Sequence, residues 1–460
     1  MAHRLFAAVF AVIASLLYSL GEKVHDAVFG YMVNNGMVLG ATNTLLTISM
    51  ITNEALMVLA NETVFASQVN RLYDSHFAVA GAKIGDVVNV RRPGRFIGTT
   101  GPALNVEDYN QTSLALQLST QFHVDVQFTT KDLTLSLGDF SDNVIQPAVA
   151  AIGNKIDSDL CVMAKNSTGN IVGVAGTRPS GLLTYLNAGA YLDAEAAPRD
   201  GRRAAVIEPF TSAVIVDSLK GLFVPEATIS QQFKKGLMGR DSGGMNWKMD
   251  QNIVAHTFGS WATTAGTLTY NTATLSGAIS SGWAQTSTIT LTNSQTLTLN
   301  QGDTFTIANV FAANPQNRRA YGGNILRNFV VQSTVTGAAG TISVTVAPAI
   351  ITGGQFQNVV VGTTSTTATV TPFSIAATTA TAVVSPQNLV FHRDAYALVM
   401  ADLMMPMGVH YAGRKADPKT GFSIRVVTQY TINNDAMPTR FDVLYGVGPL
   451  YQELGCRVAA

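Results

Sequence analysis

The sequence predicts a mixed α+β chain in which a small all-β domain, a barrel or a sandwich, is inserted into a host of helices and strands. Three observations predict it. The chain holds 29 basic and 29 acidic residues among 460, or 13% charged, where an ordinary soluble domain carries roughly 25%. The deficit is uneven: the 142 residues from Gln251 to His392 hold four charges, Asp303, Arg318, Arg319 and Arg327, and the other 318 hold 54. Such a break in composition marks a domain border. Within that segment Ile289/Leu291, Leu297/Leu299, Phe305/Ile307 and Ile342/Val344/Val346 alternate with Thr, Ser and Asn, the period of two that gives a strand one buried and one wet face. Outside it, Ile145, Val149, Ile152, Ile156, Leu160 and Met163 step by three or four, which puts them on one side of a helix.

Taken in order, Met1–Leu20 opens with His3 and Arg4 and runs uncharged from Leu5 to Leu20. That pattern fits a secretory signal or, being short, less well a membrane anchor; a start further along, at Met32 or Met37, is the other reading. Ser49–Glu62 carries Ile51, Ala55, Leu56 and Leu59 at helical spacing, with Ser49 placed to cap a short amphipathic helix. Alternation in Gly81–Arg92 and again in Ser113–Leu137, joined by the Gly/Pro-rich Pro93–Pro102, predicts two long strands in an extended hairpin. The helix of Asp139–Lys165 starts near Ile145 or Gln146, because Pro147 is tolerated only in a first turn. Ile171–Lys220 is mixed, with a loop at Gly176–Gly181 and a helical stretch near Phe210–Leu219. After the insertion, NLVFHRDAYALVMADLMMP from Asn388 shows a returning helical pattern, and Phe422–Ile432 and Arg440–Val447 read as closing strands.

The same composition excludes several classes. A hydrophobic content of 47% with few charges is the opposite of disorder. Net charge zero lacks the basic excess of a nucleic-acid binder, and the pairs Arg91-Arg92, Arg202-Arg203, Lys234-Lys235 and Arg318-Arg319 read as solvated or inter-subunit charges. Cys161 and Cys456 match no metal or redox spacing and read as free thiols. The seven histidines (His3, His25, His76, His123, His256, His392, His410) form no close pair that would start a ligand set.

His392-Arg393-Asp394 lacks the asparagine and glycine loop of a kinase, Lys419-Thr420-Gly421 lacks the serine of a β-lactamase, and Gly446-x-Gly448 lacks the third glycine of a dinucleotide loop. Asp157/Asp159 and Asp193/Glu195 have the spacing of ordinary surface carboxylates. Sequons at Asn61, Asn110 and Asn166 matter only on a secretory route. A large chain with so little chemistry reads as structural: no catalytic, cofactor or metal residue is assigned.

The order of elements, with RLYDSHFAVAGAKIGDVVNVRRPGRF (71–96), ATISQQFKKGLMGRD (227–241), LNQGDTFTIANV (299–310), FHRDAYALVMADL (391–403) and GFSIRVVTQYTINNDAMPTRFDVLYGVGPLYQELGCRV (421–458), resembles the Hong-Kong-97-type major capsid proteins of tailed phages and prophages. Within them it is most similar to the coat proteins of short-tailed Salmonella phages, which carry a β-barrel insertion domain. Residues 1–36 have no counterpart in that pattern and stand as an N-terminal extension; the resemblance implies an N-arm and short helix at 37–80, an extended loop at 81–138 lying on a neighbouring subunit, and a spine helix with peripheral and axial domain at 139–250. It further implies an inserted barrel at 251–385 that aids folding and capsomer contacts, and axial and peripheral closing strands at 386–460.

The function implied is a non-enzymatic major capsid protein that self-assembles through hexamers and pentamers into an icosahedral shell around double-stranded DNA, in the host cytoplasm. Its implied partners are itself, a scaffolding protein, a portal protein and DNA held without sequence preference, with no membrane. Some relatives cross-link a loop lysine to a neighbour; Pro93–Asn110 contains no lysine, so non-covalent contacts are expected here. A cytoplasmic coat has no use for a signal, which favours an upstream start extension. The alternative is a secreted β-rich surface-layer or adhesin-like protein.

Overall fold

The computed structural model describes residues 48–71, 87–92, 94–107, 109, 112–129, 144–218, 243–262, 268–362, 367–375, 383–417, 421–433 and 435–460. The N-terminal extension, Lys234-Lys235, the outer ends of both hairpin strands, Asn110 and Lys419-Thr420 lie outside them. Residues Thr52–Ala460 fold as one unit.

Helix α1 spans Ile48–Glu62, so Ser49 sits inside the helix rather than capping it. Helix α2, Gln146–Ser167, begins where Pro147 requires, in its first turn. Its apolar row Val149, Ile152, Ile156 and Leu160 is fully buried against the long strands Thr120–Thr129 and Ala436–Pro449. Gly153 faces the end of α1, where a Cβ would sit in ordinary van der Waals contact, 3.5 Å from Glu62 and 3.7 Å from Leu59. One turn on, the buried Asp157 carboxylate accepts the backbone N–H groups of Val64, Phe65 and Ala66 at 2.7, 3.3 and 2.8 Å. It is therefore no surface group: it holds the turn that follows α1.

Among the described residues the host has two large sheets besides the hairpin pair. In the first, Ile171–Gly173 pairs in parallel with Gly455–Ala459, which lies antiparallel to Val384–His392; that strand pairs antiparallel with Arg203–Ile207, and this one in parallel with Asn246–Met249. Helices α3 (Leu183–Ala194) and α4 (Pro209–Ser218) contribute Tyr185, Ala188, Leu192 and Ile215 to its core with Ile207, Trp247, Val390 and Val458. The second sheet is antiparallel and built round Ala436–Pro449, which pairs with Thr120–Thr129, Tyr396–Ala401 and Ser423–Thr428, the last pairing with Tyr411–Ala416.

Two expectations are corrected here. Asn388 onward is not helical: Val384–His392 and Tyr396–Ala401 are strands joined by a short turn at Arg393–Ala395. From 388 to 400 every residue outside that turn is buried, so the run carries no period by which helix and strand differ. The extended hairpin also differs from the reading. Among the described residues only Val87–Arg91 and Ser113–Gln117 pair, Val87 opposite Gln117 and Arg91 opposite Ser113; after Leu118 the chain changes partner, and Thr120–Thr129 joins Ala436–Pro449. Gly446 and Gly448 make that crossing possible. A Cβ at Gly446 would lie 2.2 Å from the Gln117 carbonyl oxygen, and one at Gly448 2.1 Å from the Leu116 side chain. Gly446→Ala is accordingly expected to cost about 2–3 kcal/mol, read as a lower urea midpoint; an unchanged midpoint would contradict this packing.

The inserted segment closes a six-stranded antiparallel barrel. Going round it, Leu268–Tyr270 is followed by Ser287–Asn293, Gly340–Ala347, Leu326–Val331, Thr304–Ala312 and Ala368–Pro372, which returns to Leu268. Along Ser287–Asn293 Ile289 and Leu291 point inward while Thr288, Thr290 and Thr292 face solvent; Thr288 meets Thr345 across the pair at 3.2 Å, a cross-strand contact that stabilises without charge. This explains how the segment stays folded with four charges. Leu297–Leu299, read as another alternating strand, lies outside the barrel and pairs with Val335–Gly337, its leucines plugging the core.

Candidate assembly surface

The short hairpin ladder is a pedestal. Val88, Val90, Leu114 and Leu116 bury one face against Ala397, Val399 and Leu450, so the connection between the two strands starts and ends at a fixed place. Among its described residues, 94–107 and 109, none has a strand partner. They expose Phe96, Ile97, Leu104, Val106 and Tyr109, with Leu104 91% and Val106 79% accessible. Five large exposed side chains, Phe96 and Tyr109 stacked on one another, give this short stretch the apolar exposure that marks interaction sites.

The loop is nevertheless shaped. Glu107 accepts the N–H groups of Ile97 and Gly98, each at 2.6 Å, Asn105 donates to Thr99 at 2.9 Å, and the Phe96 and Tyr109 rings stack at 6.0 Å.

At the root of the loop, Arg92 corrects the reading of the basic pairs. It is buried, its guanidinium 4.5 Å from the Trp283 ring centroid and 4.3 Å from that of Tyr451, with Nη2 2.9 Å from Glu453. Arg95 reaches the same carboxylate at 3.4 Å. Burial pushes the Glu453 carboxyl up, but Arg92 and Arg95 outweigh it and hold it below the usual glutamate range. A depressed folded-state pKa stabilises the fold above the unfolded value of about 4.5 and is lost as pH falls below it. The stability difference between wild type and Glu453→Gln is therefore expected to be full at pH 7 and to shrink below pH 4.5 in urea titrations; a difference that grows on acidification would contradict the sign. Arg203 is likewise buried, donating to the carbonyls of Ala197 and Pro198 and pairing with Asp193 at 2.8 Å. Arg91, Arg202 and Arg319 are exposed as read, and Arg318 is half-buried.

A second polar knot joins barrel and host. Asp303, fully buried, accepts from Asn300 N (2.7 Å), Gly259 N (3.1 Å) and Trp261 Nε1 (2.9 Å), with His256 Nε2 at 2.8 Å. Beside it Arg457 donates to Gln387 (2.7 Å) and to the carbonyls of Gly302 (2.8 Å) and Lys165 (3.0 Å); burial pushes its guanidinium down to about 10, with Asp303 opposing. Asp303 was legible as the one acid in 142 residues; the arginine clamps carried no local signal.

The remaining candidates are scattered. Asp159 pairs with Lys155 and Tyr445, Asp193 with Arg199 and Arg203, and Glu195, buried rather than at the surface, with Arg327. His392 meets Asp200 at 3.1 Å. Cys161 and Cys456 are buried free thiols whose pKa values burial pushes up, away from nucleophilic thiolates. Among the described residues no group of His, Cys, Asp and Glu is arranged to hold a metal, and no helix is long and apolar enough to cross a membrane.

Comparison with known proteins adds the context. The family model described as "P22 coat protein - gene protein 5" matches residues 40–457. Among solved structures, one titled "Mycobacterium phage Che8" is similar at 13% identity, covering 86% of this chain and 90% of that one with a TM-score of 0.41. "Capsid of Ralstonia phage GP4" is similar at 9% identity, 86% and 88% coverage and a TM-score of 0.41. A virus-like particle from Pyrococcus furiosus is similar at 7% identity, 89% and 98% coverage and a TM-score of 0.35. No curated protein matches the chain.

Proposed function

Because the chain belongs to the P22 coat protein family, as a major capsid protein that self-assembles into the phage shell and so a component of the virion, we propose that it builds an icosahedral shell around double-stranded DNA with no catalytic step. The exposed apolar loop at 94–109 is the observation that carries this reading to a mechanism. Burying Leu104 and Val106 on a neighbour contributes about 1.5–3 kcal/mol for each side chain, and a closed shell repeats that modest contact at every subunit. A surface poor in charge suits such packing, since charged residues are depleted in interface cores, and net charge zero avoids repulsion among many copies.

Within this reading the domains are an N-arm and short helix at 37–80, the extended loop at 81–138, the spine helix with peripheral and axial domain at 139–250, the inserted barrel at 251–385 and closing strands at 386–460, in a Hong-Kong-97-type arrangement closest to Salmonella short-tailed phages. Assembly takes place in the host cytoplasm through hexamers and pentamers, with a scaffolding protein and a portal, and DNA is enclosed without sequence preference. Family membership sets the surface-layer or adhesin reading aside.

Sedimentation velocity tests it. Co-expressed with its scaffolding partner, the chain is expected in particles orders of magnitude heavier than the 48.7 kDa subunit. A chain that sediments as a monomer under every condition contradicts it.

A further inference from the structure

The root of the loop is gripped by the insertion. Trp283 lies against the Arg92 guanidinium at 4.5 Å, Phe356 faces that of Arg95 at 5.8 Å, and Arg318 Nη2 donates to the Phe96 carbonyl at 2.6 Å. All three belong to the charge-poor segment that builds the barrel. The host closes the other side, with Tyr451 4.3 Å from Arg92 and Glu453 binding both arginines. None of these contacts is needed by the hairpin ladder, whose outermost strand pair is Arg91 with Ser113.

Two details show that the grip is built rather than incidental. Trp283 packs against two separate apolar clusters, the hairpin pedestal of Val88, Val90, Leu114 and Leu116, and a satellite of Ala349, Ile351 and Phe356 under the barrel. Arg318 sits at φ +57, a left-handed conformation uncommon for a side chain of its size. Its turn is fixed by the Arg318 N–H donating to the Asn314 carbonyl at 2.8 Å, and by the Asn314 side chain accepting from Gln316 at 2.9 Å.

We propose that the insertion is an aiming clamp: Trp283, Phe356 and Arg318 are positioning residues that fix the attitude of the loop in the free subunit, before any neighbour is present. Ordering a chain segment costs about 1–2 kcal/mol per residue, and a loop already held in its docking direction loses less of that on binding. The consequence for assembly rests on the shell-forming reading above. The clamp itself is a property of the single subunit.

Hydrogen exchange on the unassembled full-length chain tests it, with the Ile97 and Gly98 amides, both bound to Glu107, as reporters. Trp283→Leu keeps an apolar side chain and removes the cation–π face; it is expected to speed exchange there about tenfold. Arg318→Ala is expected to speed it about threefold. In both, amides of Ser287–Asn293 in the barrel should exchange as in wild type, which a merely structural role for Trp283 would not leave unchanged. Shells of mixed diameter are expected from both variants. Should Trp283→Leu fail to fold, Arg318→Ala, at a turn on the surface, decides alone. Unchanged exchange at Ile97 and Gly98 with an intact barrel overturns the clamp. A wild type that forms no shells overturns the assembly reading instead, while the exchange result still decides the clamp.

Discussion

Asp303→Ala is expected to lose the barrel as a folded unit, at a cost of about 4 kcal/mol or more. The carboxylate accepts two backbone N–H groups and the Trp261 indole N–H, and meets His256; deletion leaves these donors buried and unpaired. Each such orphan costs about 1–3 kcal/mol, and breaking a buried charged contact costs about 3–5 kcal/mol. Against a total stability of about 5–15 kcal/mol, that is enough to depopulate the native state. Because Gly302 and Asp303 adjoin Arg457, whose donors are spent on Gln387, Lys165 and Gly302, the damage should reach the junction with the host. Thermal or urea unfolding reads the effect, and a shift equivalent to under about 1 kcal/mol would contradict the role given to Asp303.

Replacing residues 96–109 with a short Gly/Ser linker is expected to leave the subunit folded and abolish assembly. Among the described residues the segment makes no ladder contact; the polar contacts they make include the Glu107 and Asn105 bonds within the loop and the Arg318 bond to Phe96. Unfolding should therefore shift by less than about 1 kcal/mol, since a surface loop contributes few buried contacts. Shell yield should fall by orders of magnitude, because the loss repeats at every subunit. Normal shells from this variant would place the decisive contacts elsewhere.

Much of this fold is legible from local pattern. Pro147 and the three-to-four spacing of its apolar row place helix α2 within a residue at its start and two at its end, and Thr alternating with Ile and Val places the barrel strands. The failures share one cause. Alternation reports which way side chains face, not which strand is the partner, so the switch at Leu118 from Val87–Arg91 to Ala436–Pro449 left no trace in the pattern. Residues 388–392 and 396–400 are buried one after another and so carry no period at all.

The same limit applies at the assembly surface. The loop is visible in the sequence as a Gly/Pro-rich connection without lysine, and its exposed apolar residues follow from having no partner. Its anchor is not visible, because Arg92 meets Trp283 across 191 positions and Glu453 across 361. Only the tertiary fold brings them together, and a lone arginine pair in sequence reads as solvated charge.

Electron microscopy of the purified protein, with and without the proposed scaffolding protein, tests the central claim most directly. Closed shells of uniform diameter are the predicted result. Only monomers, or only flat lattices, under all assembly conditions would contradict it.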